Sequence, residues 1–264
     1  MVEADSSFKL EGLLPDARAF AGSRLSGFAA IVAAVLVLCL APDSGRVRAA
    51  GRVPASVNNA LATAVWSNTD IGSLNLQVFH LALRAASCAV RSGTIEDFST
   101  LTIIDYSRPS TEKRLWVFDL RTRALRYEEL VAHGSGSGEN LPTSFSNEPE
   151  THQSSLGLFR TESAYFGKNG YSLRLHGLDE GFNDRAYERA IVMHGAPYVS
   201  DDVARAQGRL GRSWGCPALR LGIVRELIDT VKGSGLIFAY YPDQQWLQSS
   251  KYLGDCAADR KSVV

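Results

Sequence analysis

The sequence predicts a mixed, mainly antiparallel β domain with a helical N-terminal appendage and one late helix. Three observations carry this. From about Leu101 onward, short β-branched and aromatic runs recur with a period of two. Ahead of them, between Val57 and Arg91, apolar residues recur at three- or four-residue steps. Near the end, Ile223, Leu227 and Val231 sit four apart, between two of the β-type runs. Strands in succession with one helix late in the chain favour a largely antiparallel layer over alternating βαβ units.

Taken in order, the elements divide the 264 residues into four segments. Residues 1–50 hold a charge-free run from Leu25 to Ala41, closed by the breakers Pro42, Asp43, Ser44 and Gly45. About seventeen apolar residues are marginal for a membrane span. The head before the run is too long and too mixed in charge for a simple cleaved signal. Export signal, signal-anchor and buried core helix are the three readings. The flanking polar segments favour export, with anchoring ahead of cleavage. Residues 51–99 form the helical appendage, read as two helices because Asn68, Thr69, Asp70 and Gly72 interrupt the pattern and Ser92-Gly93 closes it. Residues 100–242 carry the strand runs LTIID, RLWVFDL, LRYEELVAH, LGLFRTES, YSLRLHG, AIVMH and LIFAYY. Residues 243–264 read as a polar C-terminal tail.

Composition narrows the function. Hydrophobic residues make up 45% and charged residues 21%, which excludes a disordered or collagen-like chain. Lys+Arg and Asp+Glu are 28 each, and removing residues 1–50 leaves the balance neutral. Nucleic acid is therefore not an expected partner, since counterion release needs clustered positive charge. The stretch from His133 to Gly138 is glycine-rich but lacks the Lys-Ser/Thr ending of a phosphate loop, and reads as a mobile loop after a strand. The five histidines (80, 133, 152, 176 and 194) include no His-Glu-x-x-His, and no Cys-x-x-Cys occurs, so no metal site is expected.

The four cysteines sort by context. Cys39 lies in the apolar run. Cys88 and Cys256 are either inert or paired with each other in an oxidising compartment. Cys216 sits in Ser213-Trp214-Gly215-Cys216-Pro217, where Gly215 permits unusual backbone angles and Pro217 fixes the next one. Such a turn can present a thiol beside free backbone N–H groups. A nucleophilic thiol needs a base, and His194 ends a strand run ahead of Gly195. Spacing alone leaves open the alternative of a core histidine and an inert buried thiol.

His194-Gly-Ala-Pro-Tyr198 followed by Gly211-Arg-Ser-Trp-Gly-Cys-Pro-Ala218 resembles the active-site signature of L,D-transpeptidase (YkuD-type) catalytic domains, and more closely the murein branch whose motif ends in Gly-Cys-Pro-Ala. The resemblance extends over roughly residues 100–241. It includes Val131-Ala-His-Gly134, Ser154-Ser-Leu-Gly157, Gly170-Tyr-Ser-Leu-Arg174 and Ala190-Ile-Val-Met-His-Gly195. It implies a YkuD-like β-sandwich or barrel in which Cys216 is the nucleophile and His194 its base. The Gly195 carbonyl would orient the imidazole. The N–H groups of Gly215 and Cys216 would form the oxyanion hole, with Ser213 supporting the turn. His133, Tyr171 and Arg212 are candidates to line the cleft, with structural roles as the alternative. Trp214 departs from the commonest form of the motif, which has a second histidine there. The spacer from His194 to Ser213 is also longer than usual.

The implied activity is acyl transfer on peptidoglycan stem peptides through a thioester, joining third-position diamino acids, with no metal or organic cofactor. Carbapenem-type β-lactams are expected to acylate the same cysteine. Export to the periplasm or cell envelope, with the N-terminal segment as a membrane anchor if uncleaved, fits that substrate. The alternatives are an L,D-carboxypeptidase or amidase using the same Cys-His site, and an inactive wall-binding module.

Overall fold

Runs with apolar residues at every position, such as Leu115–Phe118, form strands buried on both faces, because layers pack on each side. The computed structural model describes residues 60–66 and 69–254. The apolar run at 25–41, Cys39 and Cys256 lie outside the described residues. The strands are β1 (Thr100–Asp105), β2 (Leu115–Asp119), β3 (Ala124–Glu129), β4 (Gly157–Gly167), β5 (Gly170–Gly177), β6 (Val192–Gly195), β7 (Ala218–Leu219) and β8 (Gly235–Tyr240). They form one eight-stranded sheet in the order β3-β2-β1-β8-β4-β5-β6-β7. Pairing is antiparallel except at β1·β8 and β6·β7. Ala132, just past edge strand β3, exchanges hydrogen bonds of 2.9 and 3.3 Å with Ala218 on the opposite edge strand β7. The sheet is therefore a nearly closed, barrel-like layer of mostly antiparallel strands, and closure leaves little unpaired edge.

Helix α1 (Leu76–Arg91) starts where the Asn75 side chain accepts the backbone N–H groups of Gln77 and Val78. Its inner face buries Val78, Phe79, Ala82, Leu83, Ala86 and Ala89. The Phe79 ring packs 4.9 Å from Phe118 of β2 and edge-on to Trp66 at 5.3 Å. Burial of Phe79 or Leu83 stabilises the fold by about 1.5–3 kcal/mol each. The appendage expected at 51–99 therefore shares one core with the sheet wherever it is described. Ahead of α1, in the segment of the first expected helix, Ala60 is helical and Thr63–Trp66 forms a 3-10 turn.

Two short helices escaped the periodicity. Helix α2 (Asp201–Gln207) begins with Ser200 Oγ accepting the Val203 N–H and ends at left-handed Gly208. Helix α3 (Val224–Val231) is the expected late helix. Helix α4 (Gln244–Ser249) lies in the segment read as a polar tail. That segment is instead docked as far as it is described, because Trp246 is fully buried. Trp246 Nε1 donates to Asp179 Oδ2 at 2.9 Å, and Ser250 Oγ donates to the same oxygen at 2.7 Å. Among the described residues, no helix is long and apolar enough to cross a membrane.

Candidate active site

The turn that carries Cys216 is closed by its own serine. Ser213 Oγ donates to the Cys216 carbonyl at 2.6 Å and accepts the Gly215 N–H at 3.2 Å. Gly215 has φ +109°, and a Cβ there would lie 2.8 Å from the Gln153 carbonyl and 2.9 Å from Ile191 Cδ1. Only glycine fits both the angle and the gap. Gly215→Ala is expected to shift the turn and slow acylation of Cys216 at least tenfold, with about 1–3 kcal/mol of strain. The check is β-lactam acylation by mass spectrometry, alongside a thermal melt showing that the variant is folded.

The glycine-rich stretch expected to be mobile is tied beneath this turn. Ser135 N–H donates to Ser213 O at 2.8 Å, and Ser213 N–H donates to His133 O at 3.0 Å. A Cβ on Gly134 would stand 2.8 Å from Gly215 Cα, so the missing side chain allows close backbone approach. Ser154 Oγ accepts the Gly134 N–H at 3.0 Å and donates to Gly215 O at 3.2 Å, joining the two loops.

Cys216 is 8% exposed, and its Sγ accepts the Val192 N–H at 3.4 Å. Burial pushes the thiol above the ordinary cysteine value, opposed by that N–H and by the Arg189 charge. Parallel pairing of β6 with β7 sets His194 opposite Ala218, which brings the cysteine turn alongside the strand bearing the histidine. The His194 Nδ1–H donates to Gly195 O at 3.0 Å. A carbonyl only accepts, so the Nδ1 proton is fixed there and Nε2 keeps its lone pair. Burial lowers the His194 pKa, and the Gly195 carbonyl partly restores it. At neutral pH Cys216 is therefore a thiol and His194 a neutral imidazole.

The Gly215 N–H already points to Ser213 Oγ, whereas no described residue accepts the Cys216 N–H. Of the two N–H groups expected to form an oxyanion hole, one is thus already engaged within the turn.

The three residues named as candidates to line the cleft each hold partners from other segments. His133 is fully buried beneath the site. Its Nε2–H donates to Gly138 O at 3.3 Å, and its Nδ1 accepts from Arg114 Nη2 at 2.7 Å. Burial first, and Arg114 second, hold the His133 pKa down to about 3, so it stays neutral. The Tyr171 hydroxyl donates to Asp229 on α3 at 2.6 Å, and the Arg225 guanidinium lies 4.7 Å over its ring. Arg212 donates to Gly138 O at 2.9 Å and pairs with Glu139 at 2.7 Å, clamping a loop.

Sequence reasoning missed Arg189. Its guanidinium donates to Gln153 O at 2.7 Å, Ser146 O at 2.7 Å and Ser155 Oγ at 2.6 Å. This fixes a positive charge where it favours the Cys216 thiolate. A cavity of about 630 Å³ opens beside the turn, lined by Pro149, Glu150, His152, Glu188, Arg189 and Trp214. Among the described residues, no group of three or more His, Cys, Asp or Glu side chains is placed to hold a metal ion. Cys88 is disulfide-bonded, which leaves Cys216 as the free thiol among the described residues.

Comparison with known proteins adds an independent line. The family model described as the L,D-transpeptidase catalytic domain matches residues 71–240. No curated protein matches. Among solved structures, an L,D-transpeptidase from Mycobacterium smegmatis is similar at 14% identity and TM-score 0.34, covering 55% of this chain and 59% of that one. L,D-transpeptidase 3 from Mycobacterium tuberculosis, solved with a faropenem-derived adduct, is similar at 13% identity and TM-score 0.34, with 55% and 61% covered. An L,D-transpeptidase from Stackebrandtia nassauensis is similar at 13% identity and TM-score 0.33, with 72% and 91% covered. The chain thus spans less than two thirds of the length of the first two. The family match takes in every strand of the sheet, the histidine strand and the cysteine turn, and the chain belongs to the L,D-transpeptidase catalytic domain family.

Proposed function

We propose that this protein is a cysteine L,D-transpeptidase of peptidoglycan, with Cys216 as nucleophile and His194 as its base. The observation that carries the reading is the His194 tautomer: with the Nδ1 proton held on Gly195 O, Nε2 is the proton acceptor. The only free thiol among the described residues lies on the neighbouring turn.

In the first half-reaction, His194 takes the thiol proton as Sγ attacks the carbonyl carbon of the third, diamino-acid residue of a stem peptide. The Cys216 N–H stabilises the oxyanion of the tetrahedral intermediate. The C–N bond to the terminal D-residue then breaks, and His194 returns the proton to that leaving amine, so a thioester remains. In the second half, the amine of a neighbouring stem attacks the thioester and loses its proton to His194. Sulfur leaves as thiolate and is reprotonated, and two third-position residues are joined. Such a substrate fits export to the cell envelope. The faropenem adduct of the similar M. tuberculosis structure supports the same chemistry here, in which penem and carbapenem β-lactams acylate Cys216.

The test is product analysis with a disaccharide-tetrapeptide. A crosslinked dimer appearing with released D-amino acid supports transpeptidation. Released D-amino acid with tripeptide alone, and no dimer, contradicts it in favour of an L,D-carboxypeptidase.

The pH profile follows from the two shifts. Because burial raises the Cys216 pKa, free thiolate accumulates only at alkaline pH. Alkylation by iodoacetamide should therefore keep rising through the ordinary thiol value of 9.0. Because burial lowers the His194 pKa, the imidazole remains an unprotonated base below its ordinary 6.5. The acid limb of β-lactam acylation should accordingly lie below 6.5. A flat alkylation rate from neutral pH upward would mean a preformed thiolate–imidazolium pair and would contradict this account.

A further inference from the structure

The cavity beside the cysteine turn holds chemistry that the acyl-transfer steps leave unused. Trp214, two residues before the nucleophile, is 71% exposed. Its ring lies flat on His152, with centroids 4.9 Å apart and planes 7° from parallel. The indole is thus positioned by a stack and not by burial. Glu150 and Glu188 are exposed and line the same space of about 630 Å³. Neither carboxylate is in an ion pair with a described residue. Arg189, the cation of the lining, already donates to Gln153 O, Ser146 O and Ser155 Oγ. It is a fixed wall more than a mobile partner for either glutamate. An aromatic face beside two unpaired carboxylates suits an ammonium group, which the ring quadrupole and the negative charges both attract. The thiol and His194 do not line this space, so it can choose a ligand without taking part in proton transfer.

We propose that this cavity is the subsite for the free side-chain ammonium of the diamino acid whose carbonyl Cys216 attacks. The ammonium rests on the Trp214–His152 stack, with Glu150 and Glu188 as its counter-charges. The inference rests on the acyl-transfer reading above and adds what selects the donor. A third-position residue carries one nitrogen in the peptide chain and a second, charged one at the end of its side chain. That side chain springs from the residue whose carbonyl meets Cys216, and Trp214 is two residues before Cys216.

The test compares two tetrapeptide donors that differ only in the side-chain amine, free in one and N-acetylated in the other. Acylation efficiency is read by intact mass on the full chain, with a β-lactam acylation in parallel as a gauge of the thiol. Wild type should prefer the free-amine donor by about tenfold or more. In the Glu150→Gln/Glu188→Gln double variant that preference should fall to within about twofold, while Trp214→Ala weakens it and Trp214→Phe restores most of it. The glutamates and Trp214 are exposed, and the β-lactam gauge reports whether each variant retains a competent site. Equal use of both donors by wild type, or an unchanged preference in the double variant, overturns the inference and leaves acyl transfer standing. If the β-lactam acylates wild type and neither peptide does, the peptide acyl-transfer reading fails and this inference fails with it.

Discussion

Replacing His194 by Gln slows acylation of Cys216 by about two to four orders of magnitude, the usual contribution of a positioned general base. The loss is this large because the resting thiol is not already ionised. Burial holds its pKa up, and the Arg189 charge and the Val192 N–H only partly offset that. Without Nε2 to take the proton, attack depends on the small fraction of thiolate in solution equilibrium. The same variant should recover part of its rate at alkaline pH, where the thiol ionises unaided. A β-lactam acylation rate measured from neutral to alkaline pH reads both effects. An unchanged neutral rate in His194→Gln would remove the histidine from the mechanism.

Arg114→Met is expected to destabilise the protein by roughly 3–5 kcal/mol, the scale seen when one partner of a buried charged network is removed. Arg114 is completely buried. Its Nε and Nη2 donate to Val131 O at 3.0 and 2.9 Å, its Nη1 to Arg108 O at 2.8 Å, and its Nη2 to His133 Nδ1 at 2.7 Å. The guanidinium carbon lies 5.3 Å over the Tyr106 ring. Burial lowers its pKa to about 10, which still leaves it charged at neutral pH. Methionine fills much of the volume but strands two carbonyls and an imidazole nitrogen that have lost their donor. Because His133 O accepts the Ser213 N–H, loosening this network also loosens the cysteine turn. Urea unfolding gives the stability change, and a loss below about 1 kcal/mol would show that the network is dispensable.

The strands were legible because each long run satisfies period two or is apolar on both faces. β1, β2 and β8 are nearly wholly buried, and their composition says so. β7 has two residues, too few to carry any period. Helix α4 was hidden because its pattern is polar, and a single buried indole, Trp246, anchors it to Asp179 far away in sequence. The turn around Cys216 was legible from Gly215 and Pro217, whereas the roles given to Cys216 and His194 rest on the resemblance to the family motif, because spacing alone leaves an inert thiol and a core histidine open. Arg189 was not legible, because its place depends on three acceptors in the 146–155 loop. As a sequence, the 133–138 glycines predict mobility. They serve close approach, which only tertiary contact with Gly215 reveals. His133, Tyr171 and Arg212 stand in family-like blocks, yet their partners are Arg114, Asp229 and Glu139, each set by another element.

The nucleophile is identified by peptide mapping of the wild-type chain after a short incubation with a disaccharide-tetrapeptide, beside Cys216→Ala. If Cys216 is the nucleophile, a thioester adduct lacking the terminal D-residue appears on the peptide containing Cys216, and none appears in the variant. An adduct on another residue, or D-residue release that survives in Cys216→Ala, would contradict it.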